Sequence, residues 1–311
     1  MNAPKLREAD KLEVTVLVDN YHDVFLQFTN IARRFLNTPP SMPLAEHGLS
    51  CLIKVHAGSE AHTILFDAGA SPTCFFHNAK LLNVDISKIE AVVLSHGHFD
   101  HYGSLLQLLS IANRETILVL HPDALLERRM NISSKEIRVD MGKLNETDLR
   151  ETEVTIHKST NASTLAAGLV MVTGEVERVT DFEKGFPWAE AKMNDRWVQD
   201  PFHDDQALAV KVKGKGLVVL GGCSHAGIIN TVKYAQKLTD TKKVHAILGG
   251  FHLTGPLFKP IIDTTIQEMK NLDPDIVVPM HCTGWKAINQ FAEQMPRQFI
   301  LNGVGTTYVF Q

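Results

Sequence analysis

The residues best suited to chemistry lie in one short segment, Leu94-Ser95-His96-Gly97-His98-Phe99-Asp100-His101-Tyr102-Gly103. It contains four potential metal ligands, which are His96, His98, Asp100 and His101. Imidazole and carboxylate groups together suit Zn, Fe, Ni or Mn. A polar turn rich in histidine is the alternative, but H-x-H-x-D-H after a strand has few purely structural explanations. The segment therefore predicts a metal site.

The flanking residues indicate how these ligands are positioned. The apolar run 91–94 predicts a buried strand, and residues 104–109 predict a helix. The ligands then lie at the carboxyl end of a strand, where open sites tend to form. His96 and His98 are two residues apart, so an extended backbone points them the same way. Asp100 and His101 turn away at the helix entry and are available to a second ion.

Three later segments place potential ligands at strand ends as well. They are Gly221-Gly222-Cys223-Ser224-His225, Gly249-Gly250-Phe251-His252-Leu253 and Pro279-Met280-His281-Cys282. Each follows an apolar run and precedes a turn and a helix. Parallel or mixed strands would bring these ends to one edge of a sheet. A structural histidine is the alternative for any single one, but three of them beside H-x-H-x-D-H favour a shared site.

The bulk composition is that of a globular protein. The chain has 311 residues, of which 44% are apolar and 21% charged, and its formal net charge is −4. It contains no long Lys/Arg cluster, which argues against binding nucleic acid or an acidic membrane. This net charge is compatible with a small anionic substrate that binds to two or three cationic side chains near the site.

Three further features of the sequence indicate the cellular compartment of the protein. Residues 1–10 contain no apolar stretch of the kind found in secretory signals, and no apolar run reaches transmembrane length. The four cysteines, Cys51, Cys74, Cys223 and Cys282, form no C-x-x-C pair. We therefore expect a reduced, cytoplasmic protein. The oligomeric state is not encoded in any feature that we recognise.

Hydrophobic patterning predicts an alternation of strands and helices. We predict strands over 13–18, 49–55, 63–66, 91–94, 116–120, 153–157, 169–173, 207–212, 217–220, 244–248, 276–278 and 306–310. We predict helices over 72–83, 104–109, 226–238, 261–271 and 285–294, with a short one opened by Pro122-Asp123. Residues 25–36 are predicted to form a short helix or a lid, closed by the turn Thr38-Pro39-Pro40.

A long segment, about residues 125–205, is weakly patterned. It contains Trp188 and Trp197, together with Arg178, Lys184 and Arg196. Long inserts of this kind are typical of functional lids. The alternative is a surface excursion whose tryptophans only pack on the body of the protein.

Four motifs, taken in order over nearly the whole chain, resemble the metallo-β-lactamase superfamily of hydrolases. They are Asp67-Ala68-Gly69, the H-x-H-x-D-H turn, Gly222-Cys223-Ser224-His225 and Pro279-Met280-His281. The resemblance implies one α/β domain over 1–311, an αββα sandwich of two mixed β-sheets flanked by helices, with metals at one edge. Gly249-Gly250-Phe251-His252-Leu253 and His281-Cys282-Thr283-Gly284 resemble, more narrowly, the branch named for 7,8-dihydropterin-6-methyl-4-(β-D-ribofuranosyl)-aminobenzene-5′-phosphate synthase. That branch also holds uncharacterised relatives.

The resemblance also implies roles for individual residues. His96 and His98 would ligate a first metal, and Asp100 and His101 a second, with His281 as the late histidine ligand. Asp67 would lie behind the ligands and orient them through hydrogen bonds.

The middle of the chain departs from the common pattern, in which a lone histidine precedes a bridging aspartate. Here Cys223 and His225 occupy that region. We expect His225 to be the third ligand of the first metal and Cys223 a thiolate at the bridging position. His203 and Asp205 compete for these roles, and His252 would be a ligand or a substrate contact. The cofactor is expected to be one or two divalent ions, with zinc favoured and iron, manganese and nickel open.

The expected chemistry is attack by a metal-activated water on an electrophilic carbon or phosphorus, with Asp100 orienting the water. Helix starts at Ser224 and Thr283, with Lys286 nearby, suit an anionic oxygen. A solvated surface lysine is the alternative for Lys286. The predicted substrate contacts are Ser224, His252, Thr283, Lys286, Trp188 and Trp197. The substrate would be a small molecule bearing phosphate or carboxylate, and the pterin/ribofuranosyl-aminobenzene phosphate of the branch name is one candidate.

Other functions on the same fold remain open at this point. An iron-binding enzyme of redox or sulfur chemistry is one, because Cys223 lies among the ligands. A nuclease is another, but it would need a basic groove that the sequence does not show. A non-enzymatic metal-binding module would require that ligands had been lost, whereas the first turn keeps all of its ligands.

Overall fold

The structure is a computed structural model that describes residues 5–36, 39–132 and 135–311. Within these ranges the chain forms nineteen strands and seven α-helices. The strands are β1 Glu8–Ala9, β2 Lys11–Val18, β3 Ala32–Arg33, β4 Ser50–Ala57, β5 Glu60–Phe66, β6 Ala91–Val93, β7 Ile117–Leu120, β8 Arg128–Ile132, β9 Ile137–Asp140, β10 Thr155–Lys158, β11 Ser163–Leu165, β12 Val170–Val172, β13 Ala189–Met193, β14 Arg196–Gln199, β15 Ala207–Val212, β16 Gly216–Gly221, β17 Val244–Gly250, β18 Ile276–Met280 and β19 Thr307–Phe310. The helices are α1 Pro72–Leu81, α2 Phe99–Tyr102, α3 Leu105–Ile111, α4 Glu146–Glu151, α5 Ile228–Thr239, α6 Ile262–Leu272 and α7 Trp285–Gln294.

Two large mixed sheets form the body of the protein. The first has the order β10-β7-β6-β5-β4-β2-β19-β3, and the second has the order β11-β12-β15-β16-β17-β18 with β1 beside β15. Each combines an antiparallel hairpin, β4–β5 or β15–β16, with parallel strands that follow it. Helices connect the parallel strands, as parallel pairing requires.

Three apolar layers hold these sheets and helices together. One buried cluster combines residues of both sheets, among them Phe66 and Leu220, so the two sheets pack face to face. A second cluster joins the outer face of the first sheet to helices α1 and α3. A third joins the outer face of the second sheet to α5, α6 and α7. The predicted αββα sandwich is therefore confirmed.

Most predicted elements are found close to their predicted positions, because each carries an apolar face that the sandwich buries. Helix α1 also begins as its sequence suggests, since Ser71 accepts a hydrogen bond from the Cys74 amide and Pro72 occupies the first turn. The short helix opened by Pro122 is a 3₁₀ helix over Pro122–Leu125. Among the described residues, no helix has the length and apolar character needed to cross a bilayer.

The helix predicted over 25–36 is wrong. The segment is irregular except for β3, which pairs with β19. Phe25, Phe28 and Leu36 are exposed, so the periodic apolar residues do not form a buried helix face. Thr38, which belongs to the turn predicted to close this segment, lies outside the described residues. The lid alternative for the segment stays a prediction.

The segment 125–205 divides between three sheets. Strands β8, β9, β13 and β14 form a separate antiparallel sheet of order β14-β13-β8-β9. Strand β10 instead pairs with β7, and β11 and β12 extend the second large sheet. The part that stands apart from the body is therefore the four-stranded sheet, and its role as a lid stays a prediction.

Candidate metal centre

The ligands predicted from the sequence meet where strands of both large sheets end. The turn after β6 supplies residues 95–101, and the segments after β16, β17 and β18 supply Cys223, His225, His252 and His281. The strands β16, β17 and β18 are parallel, so their carboxyl ends lie together. The sandwich brings this edge of the second sheet to the turn after β6, as the donor groups below show.

The potential metal donors form three groups, and the donor atoms within each group lie within 4.8 Å of one another. The groups are Asp100, His101, Cys223 and His281; His96, Cys223 and His225; and Cys223, His252 and Cys282. Cys223 belongs to all three. The ring of His98 lies beside the second group, with centroids 4.6 Å from His96 and 4.9 Å from His225.

The second group has the chemistry of a metal site. Among the described residues, neither His96 Nε2 nor either ring nitrogen of His225 has a hydrogen-bond partner, although all three atoms are buried. Such groups are rare unless an ion or water satisfies them. Burial, together with the neighbouring histidines, holds the pKa of both imidazoles well below the ordinary value. Both are therefore neutral and can offer a lone pair to a metal.

The first group surrounds a buried carboxylate. Asp100 Oδ2 lies 3.1 Å from His281 Nε2, 3.8 Å from His101 Nε2 and 3.4 Å from His47 Nε2. Burial acts to raise the pKa of Asp100, but His101 and His281 outweigh it, so the pKa lies below the ordinary value. Asp100 is therefore a carboxylate. Together with thiolate and imidazole donors it completes a set that suits Zn²⁺.

The carboxylate of Asp67 lies directly behind the ring of His101. Its Oδ2 lies 2.6 Å from His101 Nδ1 and accepts from the Ser95 hydroxyl, while its Oδ1 accepts from the Ser95 amide. This leaves His101 Nε2 facing Cys223 Sγ at 3.2 Å. Burial acts to lower the pKa of His101, but Asp67 and Asp100 raise it to about 9. Because only neutral imidazole ligates, binding of a cation there is coupled to loss of that proton.

A buried arginine braces the H-x-H turn, and the sequence analysis missed it. Arg128 on β8 donates from Nε to Asp200 and from Nη2 to Asp204, and Asp204 accepts the Gly97 amide at 2.8 Å. A Cβ at position 97 would lie 2.1 Å from the Ala124 carbonyl oxygen, so the residue between His96 and His98 must be glycine. Arg128 and Arg129 are adjacent in the sequence, and nothing in the sequence indicates that Arg128 is buried.

Backbone conformation positions the later donors. Ser224, His252 and His281 have φ values of 57°, 43° and 47°, and Asp67 has 59°. Left-handed backbone is costly for residues other than glycine, on the order of 1 kcal/mol each, and is concentrated at functional sites. At His252 and His281 the left-handed backbone lies where the donor side chain leaves the end of its strand.

The amino-terminal strand contributes to the site as well. Asp19, at the end of β2, accepts the His281 amide at 2.8 Å, and Asn20 donates to the His281 carbonyl. His47 is more than half exposed and reaches Asp100 from the solvent side. Sequence reasoning missed these three residues because none lies in a dense motif. The polar pair Asp19-Asn20 directly after a strand is the signal that could have found the first two.

The competing ligands His203 and Asp205 lie outside the three donor groups. His203 is partly exposed, with Nδ1 3.2 Å from Asp123 Oδ2. Asp205 is buried, and its Oδ2 accepts the amide of Ala226, the residue after His225. Burial raises the pKa of Asp205 to about 7. Asp205 thus holds the loop that carries His225.

The predicted substrate contacts occupy different environments. The Ser224 hydroxyl donates to the Gly250 carbonyl and the Thr283 hydroxyl accepts the Phe251 amide, so both are engaged inside the protein. Lys286 is exposed. Trp197 lies under the Arg129 guanidinium, 4.0 Å from the ring centroid. His252 and Trp188 line the cavity at the centre.

That cavity has a polar floor and apolar walls. Its volume is about 240 Å³. The floor is formed by His47, His98, Asp100, Cys223, His252 and Cys282. The walls are formed by Phe99, Met130, Met141, Phe186, Trp188 and residues 254–258. None of the described residues that line it is a lysine or an arginine. The four-stranded sheet supplies Met130 on β8, with Trp188 directly before β13, so it forms part of one wall.

The chain is similar to characterised and uncharacterised proteins over most of its length. It is 34% identical over 261 residues to the 7,8-dihydropterin-6-methyl-4-(beta-D-ribofuranosyl)-aminobenzene-5′-phosphate synthase of Methanocaldococcus jannaschii, covering 82% of this chain and 87% of that protein. It is 30% identical over 273 residues to an uncharacterised protein of the same organism, covering 86% and 95%.

Solved structures support the same fold. The crystal structure of Tm1679, a metal-dependent hydrolase of the beta-lactamase superfamily, superposes with a TM-score of 0.73 at 24% identity, covering 95% of this chain and 98% of that chain. Unliganded yeast PDE1 superposes with a TM-score of 0.54 at 11% identity, covering 96% and 99%. A family model, the Metallo-beta-lactamase superfamily, matches residues 47–180. With these similarities and the αββα sandwich, the chain belongs to the metallo-β-lactamase superfamily.

Proposed function

We propose that this protein is a metal-dependent enzyme that displaces a leaving group from a small, flat aromatic substrate carrying a phosphate. The observation that carries this proposal is the convergence of three donor groups on Cys223 at the floor of a cavity with aromatic walls. Attack by water would make the reaction a hydrolysis. Attack by an amine would make it a synthesis of the kind named for the relative that is 34% identical. Both reactions need the electrophilic centre to be polarised and the negative charge of the leaving group to be neutralised.

The donor set fits two divalent ions, and zinc is favoured because imidazole, carboxylate and thiolate are its usual ligands. His96 and His225, with His98 beside them, would hold one ion. Asp100, His101 and His281 would hold the other, with Cys223 between the two. Such ions supply Lewis-acid polarisation of an oxygen and neutralise negative charge as it develops.

The walls select the substrate. Phe186 and Trp188 have ring centroids 6.2 Å apart, and Phe186 also contacts the rings of His252 and Phe258. A flat heteroaromatic ring such as a pterin would stack among these side chains and displace water from the cavity. His47 connects Asp100 with the solvent side, so it is placed to pass a proton between the centre and bulk water.

The phosphate end would lie outside the apolar cavity. A second cavity of about 370 Å³ shares the wall 254–256 and is lined by Lys259, Trp285 and Lys286. Two lysines there offer the local positive charge that the cavity at the centre lacks. Lys286 therefore stays a predicted substrate contact. It would contact the phosphate at the far end of the substrate and not the atoms that react. This arrangement also disfavours the nuclease alternative, which needs a continuous basic groove.

An iron-binding redox or sulfur-chemistry enzyme is the second candidate. The observation that favours it is the thiol of Cys223, which belongs to every donor group. Thiolate and imidazole donors accept iron as well as zinc. Elemental analysis with an absorption spectrum of the purified protein separates the two, since only iron would give a visible chromophore.

The metal assignment is tested by replacing His96 and His101 with alanine, one at a time. Each variant should lose bound divalent metal, because each belongs to a different donor group. His77→Ala is the matched control, since this histidine lies on α1 with Nε2 near the Met42 carbonyl. Metal content by elemental analysis that is unchanged in both site variants would contradict the assignment.

The substrate assignment is tested on the metal-loaded protein. We would supply 4-(β-D-ribofuranosyl)aminobenzene 5′-phosphate with a dihydropterin that bears a leaving group on its 6-methyl carbon, and follow products by mass spectrometry. The joined product supports the synthase reaction. Release of the leaving group without joining supports hydrolysis. Neither product, from protein that holds its metal, would refute this substrate class.

A further inference from the structure

The third donor group, Cys223, His252 and Cys282, is not accounted for by the two ion positions described above. We propose that it forms a third metal position, specific for a soft, thiophilic divalent ion, on the cavity side of the centre. The proposal goes beyond the proposed function, because it depends on these three side chains and not on the substrate or the reaction.

The distances fit one ion. The three donor atoms lie within 4.8 Å of one another. Around a tetrahedral zinc, with Zn–S near 2.3 Å and Zn–N near 2.0 Å, neighbouring donors lie about 3.3–3.8 Å apart. A contraction of about 1 Å, within the reach of side-chain rotation, therefore closes the group around an ion.

The fold brings the two thiols together across a strand. Cys223 follows β16 and Cys282 follows β18, and β17 runs between them and ends at Gly250. A Cβ on Gly250 would lie 2.7 Å from Cys282 Sγ and 3.3 Å from Cys223 Cα. The glycine therefore clears the space in which the two side chains meet. Cys282 Sγ also lies 3.5 Å from the Cys223 carbonyl oxygen, which places it directly over that residue.

His252 supplies the third donor from the middle strand. Its backbone has a φ of 43°, and its ring packs against Phe258 at 4.7 Å and against His225 at 4.2 Å. Its buried Nδ1 has no hydrogen-bond partner in the described part of the chain. An imidazole that has one unpaired buried nitrogen and is held in a strained conformation beside two thiols is the arrangement expected of a ligand.

The position opens towards the cavity. All three residues line the cavity of about 240 Å³, so the fourth side of a tetrahedral ion would face it. Two thiolates and one imidazole form a soft donor set that selects Zn²⁺, Cd²⁺ or Co²⁺ over Mg²⁺ and Mn²⁺. Cys223 would be shared with both neighbouring positions as a bridging thiolate. Cys51 and Cys74 are buried elsewhere and belong to none of the donor groups found among the described residues.

Cobalt titration of the full-length, reduced, metal-stripped protein tests this proposal. Bound Co²⁺ reports each thiolate ligand through a sulfur-to-metal charge-transfer band. We expect Cys282→Ser to lose about half of the wild-type band and one equivalent of bound metal, because both sulfur–cobalt bonds of the third position disappear together. Cys74→Ser is the matched control and should match wild type. His252→Asn should weaken the binding of that same cobalt ion while both thiolates remain. Asn is a suitable replacement because it tolerates left-handed backbone.

Several outcomes would overturn the proposal. One is a Cys282→Ser variant that keeps the full band intensity and stoichiometry. Another is a wild-type band no stronger than one thiolate, with Cys223 and Cys282 found instead as a disulfide by mass spectrometry of unreduced protein. If Cys282→Ser does not fold by circular dichroism, unchanged cobalt affinity in His252→Asn decides against the position. The His96→Ala and His101→Ala variants should keep the equivalent of cobalt that Cys282→Ser loses, which separates this proposal from failure of the other metal positions.

Discussion

The two halves of the candidate metal centre are built in opposite ways. The first half supplies its donors from one turn, 96–101, and buried charges of other elements hold that turn in place. The second half supplies its donors from the segments after β16, β17 and β18, where left-handed backbone at His252 and His281 and hydrogen bonds of neutral hydroxyl groups join the segments. The first half is therefore fixed by electrostatics around a compact motif. The second half is fixed by the register of a sheet.

Sheet register matters because each later donor depends on where its strand ends. Gly221 pairs with Gly249, and Gly250 pairs with Met280, so the three segments leave the sheet at one level. A slip of one residue would turn every side chain of a strand to the other face of the sheet. The second half thus depends on long-range pairing, whereas the first half depends on a local sequence and its ionic partners.

The largest effect is expected from removing the buried arginine that braces the first half. Arg128→Met leaves the carboxylates of Asp200 and Asp204 buried without their partner. Breaking a buried pair in this way costs about 3–5 kcal/mol. Urea unfolding should show that loss, and metal content should fall because Asp204 no longer holds the Gly97 amide firmly.

Arg129→Met is the matched control for this prediction. Its pair with Glu190 is partly exposed, so its loss should cost about 0–1 kcal/mol. A free energy of unfolding for Arg128→Met that falls within the control's range would refute the view that buried charges fix the first half.

A smaller effect is expected from removing the hydrogen bond between Thr283 and Phe251. This bond joins the segments that follow β18 and β17 in the second half. Thr283→Val keeps the shape of the side chain but leaves the Phe251 amide without its acceptor. A single unsatisfied buried group costs about 1 kcal/mol. We also expect weaker metal binding, because both neighbours, His252 and Cys282, shift when the tie is lost.

Thr116→Val is the control, since its hydroxyl donates to the Ile89 carbonyl far from the donor groups. It should cost a similar free energy by urea unfolding and leave metal affinity unchanged. Equal metal affinities for the two variants would show that the hydrogen bond at Thr283 does not position the second half.

The difference between the two halves also explains which parts of the site could be predicted from the sequence. The H-x-H-x-D-H turn could be predicted to be a metal site because its four donors lie within six residues and follow an apolar run. Cys223, His225 and His281 could be placed near it only because each follows a strand. The αββα sandwich followed from the resemblance, and the strands and helices from their apolar periodicity.

The rest required tertiary structure. Arg128 and Asp19 are ordinary polar residues in the sequence, and only packing shows that they are buried against the site. Cys282 meets Cys223 across Gly250, a contact between positions 59 residues apart that no local pattern encodes. The helix predicted over 25–36 failed because periodic apolar residues predict a helix only if there is a core to receive them, and Phe25 remains exposed.

The smallest effect concerns Glu183, a carboxyl group outside the second half that supports it by accepting the amides of Ile229 and Asn230 at the start of α5, just after His225. Burial raises its pKa above the ordinary 4.5, despite these hydrogen bonds. Above pH 4.5 the folded state therefore keeps a proton that the unfolded state has released. The contribution of Glu183 to stability is then complete below the unfolded pKa and declines as the pH rises through the folded pKa.

Glu183→Gln tests whether the second half is supported there by a charge or by a neutral carboxyl. Glutamine does not titrate, so the free energy of unfolding of wild type minus that of the variant should decline as the pH rises above the ordinary pKa of 4.5. Urea unfolding with chelator in every sample would measure it. Glu146→Gln is the control, because Arg150 and Lys158 lower the pKa of exposed Glu146 and the difference should not decline above its ordinary value of 4.5. A difference for Glu183→Gln that is flat or rises with pH would mean that charge braces this half too, and the contrast between the halves would fail.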